Sequence, residues 1–316
     1  MELPGLLSFL VFFVTFAGLY GVFALGLNVQ WGISGQFNLG VHAFWAVGAY
    51  TSAILTTEPG GAHLGGFGLP MIAGLAAAMI LCALLAVLVG LITVNLRTDY
   101  LAIATIGIAE VVRLVLKNEA WLTNGVRGIP GIPRPFAELG GDAPALVFLA
   151  IVALALGLVY AALEILRRSP WGRVQRALRE DEAAAGAAGK NVTGFRLQSF
   201  VLGAAIMGLG GGLYAHFFAF ISPEAFDPLI TTFVVWVMLI AGGSGNNLGA
   251  VVGAFVIWGI WSGSGFLTEL LPIEFQTRAG SLRILLIGIL LQIILLTRPE
   301  GLIPEETAPR RKSGGG

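Results

Sequence analysis

Two glycine-rich stretches carry a serine in the same frame, Gly32-Ile-Ser34-Gly35 and Gly242-Gly-Ser244-Gly245. With a membrane-embedded His42 or His216, such a serine has the parts of an intramembrane protease dyad, a hydroxyl nucleophile beside an imidazole base. The pattern fixes only three residues in a chain with 45 glycines, and its duplication suits a structural turn better. Around the first stretch Asn28, Gln30, Ser34, Gln36, Asn38 and His42 crowd an otherwise apolar run. Unpaired amides in lipid cost on the order of a few kcal/mol each, so these groups must face another helix or a polar route. Asn28, Ser34, Gln36, Asn38 and His42 are therefore the candidate translocation lining; the alternative is that they satisfy the broken helix's own backbone.

Glu110 and Arg113 stand three apart on one predicted helix face. An i,i+3 pair largely cancels its own charge, and the arginine can snorkel outward. They are expected to be a structural pair, with a role at the outer mouth of a pathway as the alternative. Gly186-Ala-Ala-Gly-Lys190 resembles a phosphate loop only superficially: the first glycine spacing is wrong, and Asn191 stands where Ser or Thr is needed. No metal motif is present in the sequence, and the single Cys82 lies inside an apolar run, which excludes a disulfide within one chain. His63 sits in a glycine-rich loop and reads as solvated.

The elements that position these groups are membrane spans. Of 316 residues, 56% are hydrophobic and only 11% charged, against about 25% charged in soluble domains. Apolar runs of about 20 residues, each enough to cross a bilayer core, recur at Leu6–Leu27, Leu39–Thr56, Leu69–Val94, Tyr100–Leu116, Ala145–Leu166, Leu197–Phe220, Phe226–Ala241, Leu248–Leu267 and Leu282–Leu296. The expected fold is an all-α polytopic membrane protein with about eight to ten crossings, broken or re-entrant at the glycine-rich segments. Met1–Gly5 lacks a basic residue, so the first run reads as a retained span and not a secretory signal.

Of the eighteen Lys and Arg residues, Arg167, Arg168, Arg173, Arg176, Arg179, Lys190 and Arg196 share one loop, 167–196. Basic residues near span ends stay cytoplasmic, so this loop, the turn Arg97–Asp99 and the tail with Arg298, Arg310, Arg311 and Lys312 are placed inside. Asn118–Pro144 and Thr268–Ser281 then fall outside, and the side of the N-terminus is left open. Ser169 and Pro170 start a helix that Gly189 and Lys190 stop. Trp171, Val174 and Leu178 share its apolar face. An amphipathic helix lying across the span ends is expected, gripped by a partner or resting on anionic lipid.

With one residue gapped, Gly32, Ser34, Gly35, Asn38, Leu39 and Gly40 match Gly242, Ser244, Gly245, Asn247, Leu248 and Gly249. Paired interruptions of this kind suggest two related halves, with irregular backbone at membrane depth shielded by protein or a cavity.

Several stretches, taken in order, resemble the LivM-type permease subunit of bacterial branched-chain amino acid ABC importers: Ala24-Leu-Gly-Leu-Asn28, Gly35-Gln36, Leu39-Gly40, Gly48-Ala-Tyr50, Asp99-Tyr100, Glu110-Val-Val-Arg113, Gly128-Ile129, Ser169 to Val192, Ser222-Pro-Glu224, Gly242 to Gly249 and Arg298-Pro-Glu-Gly301. The resemblance implies an ABC importer permease fold in residues 1–305, with coupling loop 167–196 and a flexible cytoplasmic tail 306–316. It implies a non-catalytic subunit of the bacterial inner membrane that holds no cofactor itself. ATP and magnesium are bound by two cytoplasmic ATPase subunits, and the other partners are a LivH-type permease subunit and a periplasmic or extracellular solute-binding protein, with no nucleic acid. Gly172, Arg173, Ala177, Arg179, Glu180, Asp181, Glu182 and Gly189 become ATPase-coupling residues. Asn28-Val-Gln-Trp31, Phe37, His42, Trp45 and Trp236 depart from the usual family pattern, which bears on the solute. The same architecture importing urea, short amides or another small organic solute is the near alternative. A secondary transporter and the serine protease are the remote ones.

Overall fold

A computed structural model describes residues 5–59, 64–269 and 279–305. His63, the tail 306–316 with Arg310, Arg311 and Lys312, and residues 270–278 of the predicted outer segment lie outside the described residues.

The described residues are helical nearly throughout. Helix α1 (Gly5–Asn28) runs into a π-helical turn, Val29–Ile33, and an irregular stretch leads to α2 (Val41–Thr56). Helices α3 (Met71–Thr93), α4 (Thr98–Asn118), the single turn α5 (Ala120–Thr123) and α6 (Ala143–Arg168) follow. Then come α7 (Pro170–Glu180), α8 (Glu182–Ala187), α9 (Val192–Phe218), a π turn Leu229–Phe233 leading into α10 (Val234–Gly242), α11 (Asn247–Glu269) and α12 (Ala279–Thr297). A two-residue antiparallel ribbon, β1 (Ile129–Pro130) against β2 (Phe220–Ile221), pairs Ile129 with Ile221. Each of the nine predicted runs coincides with a long helix or with the π turn and α10.

Five described segments are long and apolar enough to cross a membrane: Gly5–Ile33, Met71–Thr93, Ala143–Arg168, Val192–Phe218 and Asn247–Gly265. The apolar helices Leu229–Gly242 and Ile284–Thr297 are shorter. Helix α2 has 16 residues, and α4 carries Asp99, Glu110, Arg113 and Lys117, which lowers its hydropathy.

Helix α9 is the centre, packed most extensively on α3 and α2 and then on α1. Small residues allow this. A Cβ on Gly48 of α2 would sit 2.7 Å from the Cα of Gly208 on α9, so the two backbones touch there. Glycine at such crossings replaces side-chain interdigitation with close backbone approach. Farther along, aromatic rings fill the space between α1, α2 and α11: Phe23 stacks on Trp45 at 3.8 Å and Phe16 meets Trp258 at 4.3 Å.

The bundle has two ends. At the α7 end lie both glycine-rich breaks, the turn at Asn95, which accepts from Thr193 at 2.9 Å, and the segment 298–305. The far end carries the ribbon, α5, and the start of α1, where Phe12 meets Phe217 at 5.4 Å. Helix α1 therefore starts at the end opposite the charged helices.

Candidate functional site: charged helices seated on two broken spans

The first break is a buried hydrogen-bond network that leaves Gln36 Oε1 without a partner. Asn28, Gln30, Gln36 and Asn38 have no exposed surface, and Ser34 is buried too. Gln30 Nε2 donates to the Phe200 carbonyl at 2.8 Å, and Asn38 Nδ2 donates to Gln30 Oε1 at 2.7 Å. Gln36 Nε2 reaches Ser199 Oγ at 2.5 Å, Ser34 Oγ at 2.8 Å and the Arg196 carbonyl at 2.9 Å. Asn38 Oδ1 accepts from Gly40 N at 2.7 Å, while its carbonyl accepts from Trp236 Nε1 at 3.0 Å. These bonds satisfy the groups left orphaned by the helix break, as burial requires.

The second break lies directly against the first. Asn28 donates to Asn247 Oδ1 at 3.0 Å and accepts from Gly245 N at 2.8 Å. In both places a helix running toward the α7 end is joined to one running away. The matched glycines Gly35 and Gly245 both have positive φ, +73° and +86°, which favours glycine. The two motifs seen in sequence thus form one contact.

The serine at the first break is fully engaged within it: Ser34 Oγ donates to the Gln30 carbonyl at 2.7 Å and accepts from Gln36 and Ser199. His42 Nδ1 is 3.0 Å from Thr232 Oγ1, and His216 stands between Ser52 Oγ at 2.9 Å and the Pro133 carbonyl at 2.7 Å. Neither imidazole stands beside Ser34, so the dyad that the spacing allowed is not assembled there.

The charged loop forms two helices where one was expected. Asp181 has extended backbone and its carboxylate accepts from Ala184 N at 2.9 Å, so it caps α8 and ends α7. Ser169 occupies the N-cap position, but its hydroxyl turns back to the Leu166 carbonyl at 2.7 Å. Gly189 ends α8 with φ +77°, the expected stop. Asn191 starts α9 by accepting from Gly194 N at 3.0 Å, five residues before the predicted span.

Trp171, Gly172, Gln175, Leu178 and Arg179 turn inward; Gln175 Nε2 donates to the Phe195 carbonyl at 2.7 Å and Trp171 Nε1 to Gln198 Oε1 at 2.9 Å. Gly172 fills the α6–α7 corner, where a Cβ would lie 2.7 Å from the Leu166 carbonyl oxygen. Arg173, Ala177, Glu180, Asp181, Glu182 and Gly189 are exposed on the outer face. Glu182 pairs with Arg196 at 3.1 Å.

Arg179 is the junction. Its guanidinium donates to the Gly32 carbonyl of the first break and pairs with Glu305 at 2.7 Å. A Cβ on Gly245 would lie 3.1 Å from Arg179 Nη1, so the second break presses on it as well. One arginine of α7 therefore touches α1's π turn, the α10–α11 break and the 298–305 strap. That strap is bonded to α10's end through Leu302 N to the Ala241 carbonyl and Ile303 N to the Gly242 carbonyl, both 2.9 Å.

Glu110 and Arg113 form the expected pair, bidentate at 2.5 and 2.9 Å. At the far end Lys117 pairs with Glu224 at 3.1 Å, and this hydrogen bond holds the Glu224 carboxyl below the usual carboxylate range.

Sequence reasoning missed Glu305, Ser199, Thr232 and Glu164. Glu164 binds Arg167 at 2.6 Å, Arg168 at 2.8 Å and Asn247 at 3.2 Å, fixing the end of α6 to the second break. Its spacing three and four before two arginines was a readable signal; the partners of the other three are remote in sequence.

The family described as "Branched-chain amino acid transport system / permease component" matches residues 9–295. The high-affinity branched-chain amino acid transport system permease protein LivM of Escherichia coli K12 is 33% identical, across 96% of this chain and 71% of that protein. The probable branched-chain amino acid transport permease protein LivM of Methanocaldococcus jannaschii is 30% identical, across 93% of this chain and 94% of the relative. The LivH permease protein of the same transport system in Salmonella typhimurium is 24% identical, across 91% of this chain and 94% of that protein. No solved structure matches the chain significantly.

Proposed function

The chain belongs to the branched-chain amino acid transport permeases, and on that premise we propose that it is one half of the membrane unit of an ABC importer. Its companion is a LivH-type subunit, and together they enclose the route of leucine, isoleucine and valine across a bacterial inner membrane. Two ATPase subunits, which hold ATP and magnesium, dock on α7 and α8 from the cytoplasm, and a solute-binding protein delivers cargo at the far end. The chain contributes no reaction chemistry.

The observation that carries this reading is Arg179. A helix pair with an exposed face of both charge signs has its inner face bonded to the first broken span and, through Glu305, to the strap held on the second. Force on the exposed face reaches the spans through fixed bonds, and ATP-driven closure then biases two arrangements of the bundle. Arg173, Ala177, Glu180, Asp181, Glu182 and Gly189 are the gripping surface; Gly172 and Arg179 transmit from within. Asn28, Ser34, Gln36, Asn38 and His42 belong to the transmitting joint, because each side chain makes at least one hydrogen bond inside the chain.

The test is co-purification with the four companion proteins and reconstitution in liposomes. ATP-dependent leucine uptake that needs every component is the expected result. Uptake by this chain alone, driven by a proton or sodium gradient, overturns it, and competition by urea or short amides reassigns the cargo. Labelling of engineered cysteines in 173–189 by an impermeant reagent on intact cells would reverse the orientation.

A further inference from the structure

We propose that a cavity at the far end of the bundle seats one acidic phospholipid, with Arg134 holding its phosphodiester and the cavity floor taking an acyl chain. This needs the membrane-spanning reading but not the identity of the cargo. The cavity has a volume of about 470 Å³ and lies where three elements part. The first turns of α1 form one wall through Ser8, Phe12 and Thr15, and the end of α9 forms the second through His216 and Phe217. The third wall is the segment that runs from Arg134 into α6 as far as Phe148. Ser8 and Thr15 bound a stretch of about 10 Å along α1 at helical rise, so the cavity is deep.

Fixed contacts frame it. His216 Nδ1 donates to the Pro133 carbonyl at 2.7 Å, and Ile132 N donates to the Ala219 carbonyl at 3.2 Å. These bonds pin the start of the segment to the end of α9. Its other end is fixed where Ala145 N donates to the Asp142 carbonyl at 3.1 Å, in the first turn of α6. Between the anchors the backbone turns through Phe136, Gly140 and Gly141, all at positive φ. Phe217 meets Phe12 at 5.4 Å and Phe148 at 5.6 Å, so aromatic rings from all three walls close the floor.

The lining selects the ligand class. Its deeper polar groups are spent: Thr15 donates to the Val11 carbonyl at 2.6 Å, and both His216 nitrogens are bonded. Asp142, the acid of the lining, is also engaged. Arg134 is exposed and makes no ion pair or hydrogen bond among the described residues. Its guanidinium offers five donors in a fork that fits a phosphate. One free cation near one carboxylate suits a singly charged phosphodiester better than a multivalent free phosphate. Leu6 and Leu10 flank Ser8, and Phe136 and Leu139 lie beside Arg134 and Ala137; all four are exposed, so the mouth opens on a surface suited to lipid. There an arginine reaches headgroup level along its own apolar stem. A helix is about 10–12 Å across, so one turn alone fills about 400–600 Å³. The cavity therefore cannot seat a spanning helix of a partner subunit, whereas a hydrocarbon chain is thin enough to enter.

The experiment uses the complete transporter in a maltoside detergent, which carries no phosphate. The probe is phosphatidylglycerol with a diazirine on its acyl chain. After illumination, peptide mapping is expected to find the label on Val11, Phe12 or Phe148. Arg134→Gln should cut that labelling about tenfold, the scale of one charge-assisted hydrogen bond. Ser8→Trp fills the cavity with Arg134 intact and should cut it as far. Equal labelling in Arg134→Gln overturns the proposal. Unlabelled phosphatidylglycerol must compete, while inorganic phosphate and diacylglycerol must not. Competition by phosphate makes this a simple anion site, and competition by diacylglycerol a groove without a headgroup contact; either overturns the proposal. Should the variants not assemble, the competition series on the wild type decides alone. A wild type with no label on these walls, as when the companion permease subunit or the solute-binding protein covers the mouth, overturns it too. Uptake is no part of the readout, so this result is separate from that of the permease reading.

Discussion

Arg179 and Glu305 stand 126 positions apart in the sequence and 2.7 Å apart in space. Their side chains are 25% and 20% exposed, so water screens the pair only partly. The bond joins the charged helix to the strap at the end of α10. It also fixes the direction of the arginine, whose other contact is the Gly32 carbonyl.

Arg179→Ala is therefore expected to uncouple the transporter: uptake falls about tenfold, while ATP hydrolysis and ATPase binding remain. The pair's own contribution to stability is about 1 kcal/mol, so the variant stays folded. A double-mutant cycle with Glu305→Ala, read in uptake, should be strongly non-additive. Additive losses would mean that the strap plays no part in transmission.

On the outer face the expectation is the reverse. Arg173→Glu with Glu180→Lys alters only exposed groups, so the melting temperature in detergent should move little. The ATPase subunits should no longer co-purify. Retention of the ATPases with these reversed charges would place their grip elsewhere on the chain.

Asn28→Leu tests the joint between the breaks. It strands Gly245 N and the Asn247 amide, whose partner it is, at about 1–3 kcal/mol for buried unsatisfied groups. Thermal unfolding of the purified protein should register that loss. Gln36→Leu and Asn38→Leu should impair uptake without releasing the ATPases.

The α2–α9 crossing gives a steric prediction. Gly48→Leu drives a side chain into the Gly208 backbone, whereas a Cβ at Gly107 meets nothing within 4 Å. The first should abolish folded protein, as judged by size-exclusion profile. Gly107→Ala should be neutral or slightly stabilising, since alanine favours the helix.

Acidification should act on the Lys117–Glu224 pair in a fixed direction. The Glu224 carboxyl is held below its ordinary range by the lysine, so its stabilisation is fully present above about pH 4.3 and fades as pH falls through the lowered value. Glu224 is more than half exposed, which limits the effect to about 0.3 kcal/mol. Wild type and Lys117→Gln should differ slightly in melting temperature at pH 7, and the difference should shrink as the pH is lowered through the acid range.

The spans were legible because twenty apolar residues between punctuation have few alternatives. The breaks were legible because Asn28, Gln30, Gln36 and Asn38 have no place in lipid. Their role in closing a joint was not, since Asn247, Ser199 and Phe200 meet them only after folding. The α7–α8 division hid in Asp181, a capping residue that also passes as one more charge on an amphipathic face. Arg179 stood among the ATPase-coupling residues with no sign that it turns inward: helical periodicity identifies a flank, and only the neighbouring strap and breaks decide that this flank points in.

Main chain against main chain, as where Gly48 meets Gly208, leaves no side-chain tips to roll over one another. Helices pinned so closely resist sliding, and relative movement at that point would need to lift them apart. The α2–α9 unit is thus the keel of the molecule, and whatever rocks during a transport cycle must pivot around it, with α4 the nearest candidate because it touches the keel only lightly.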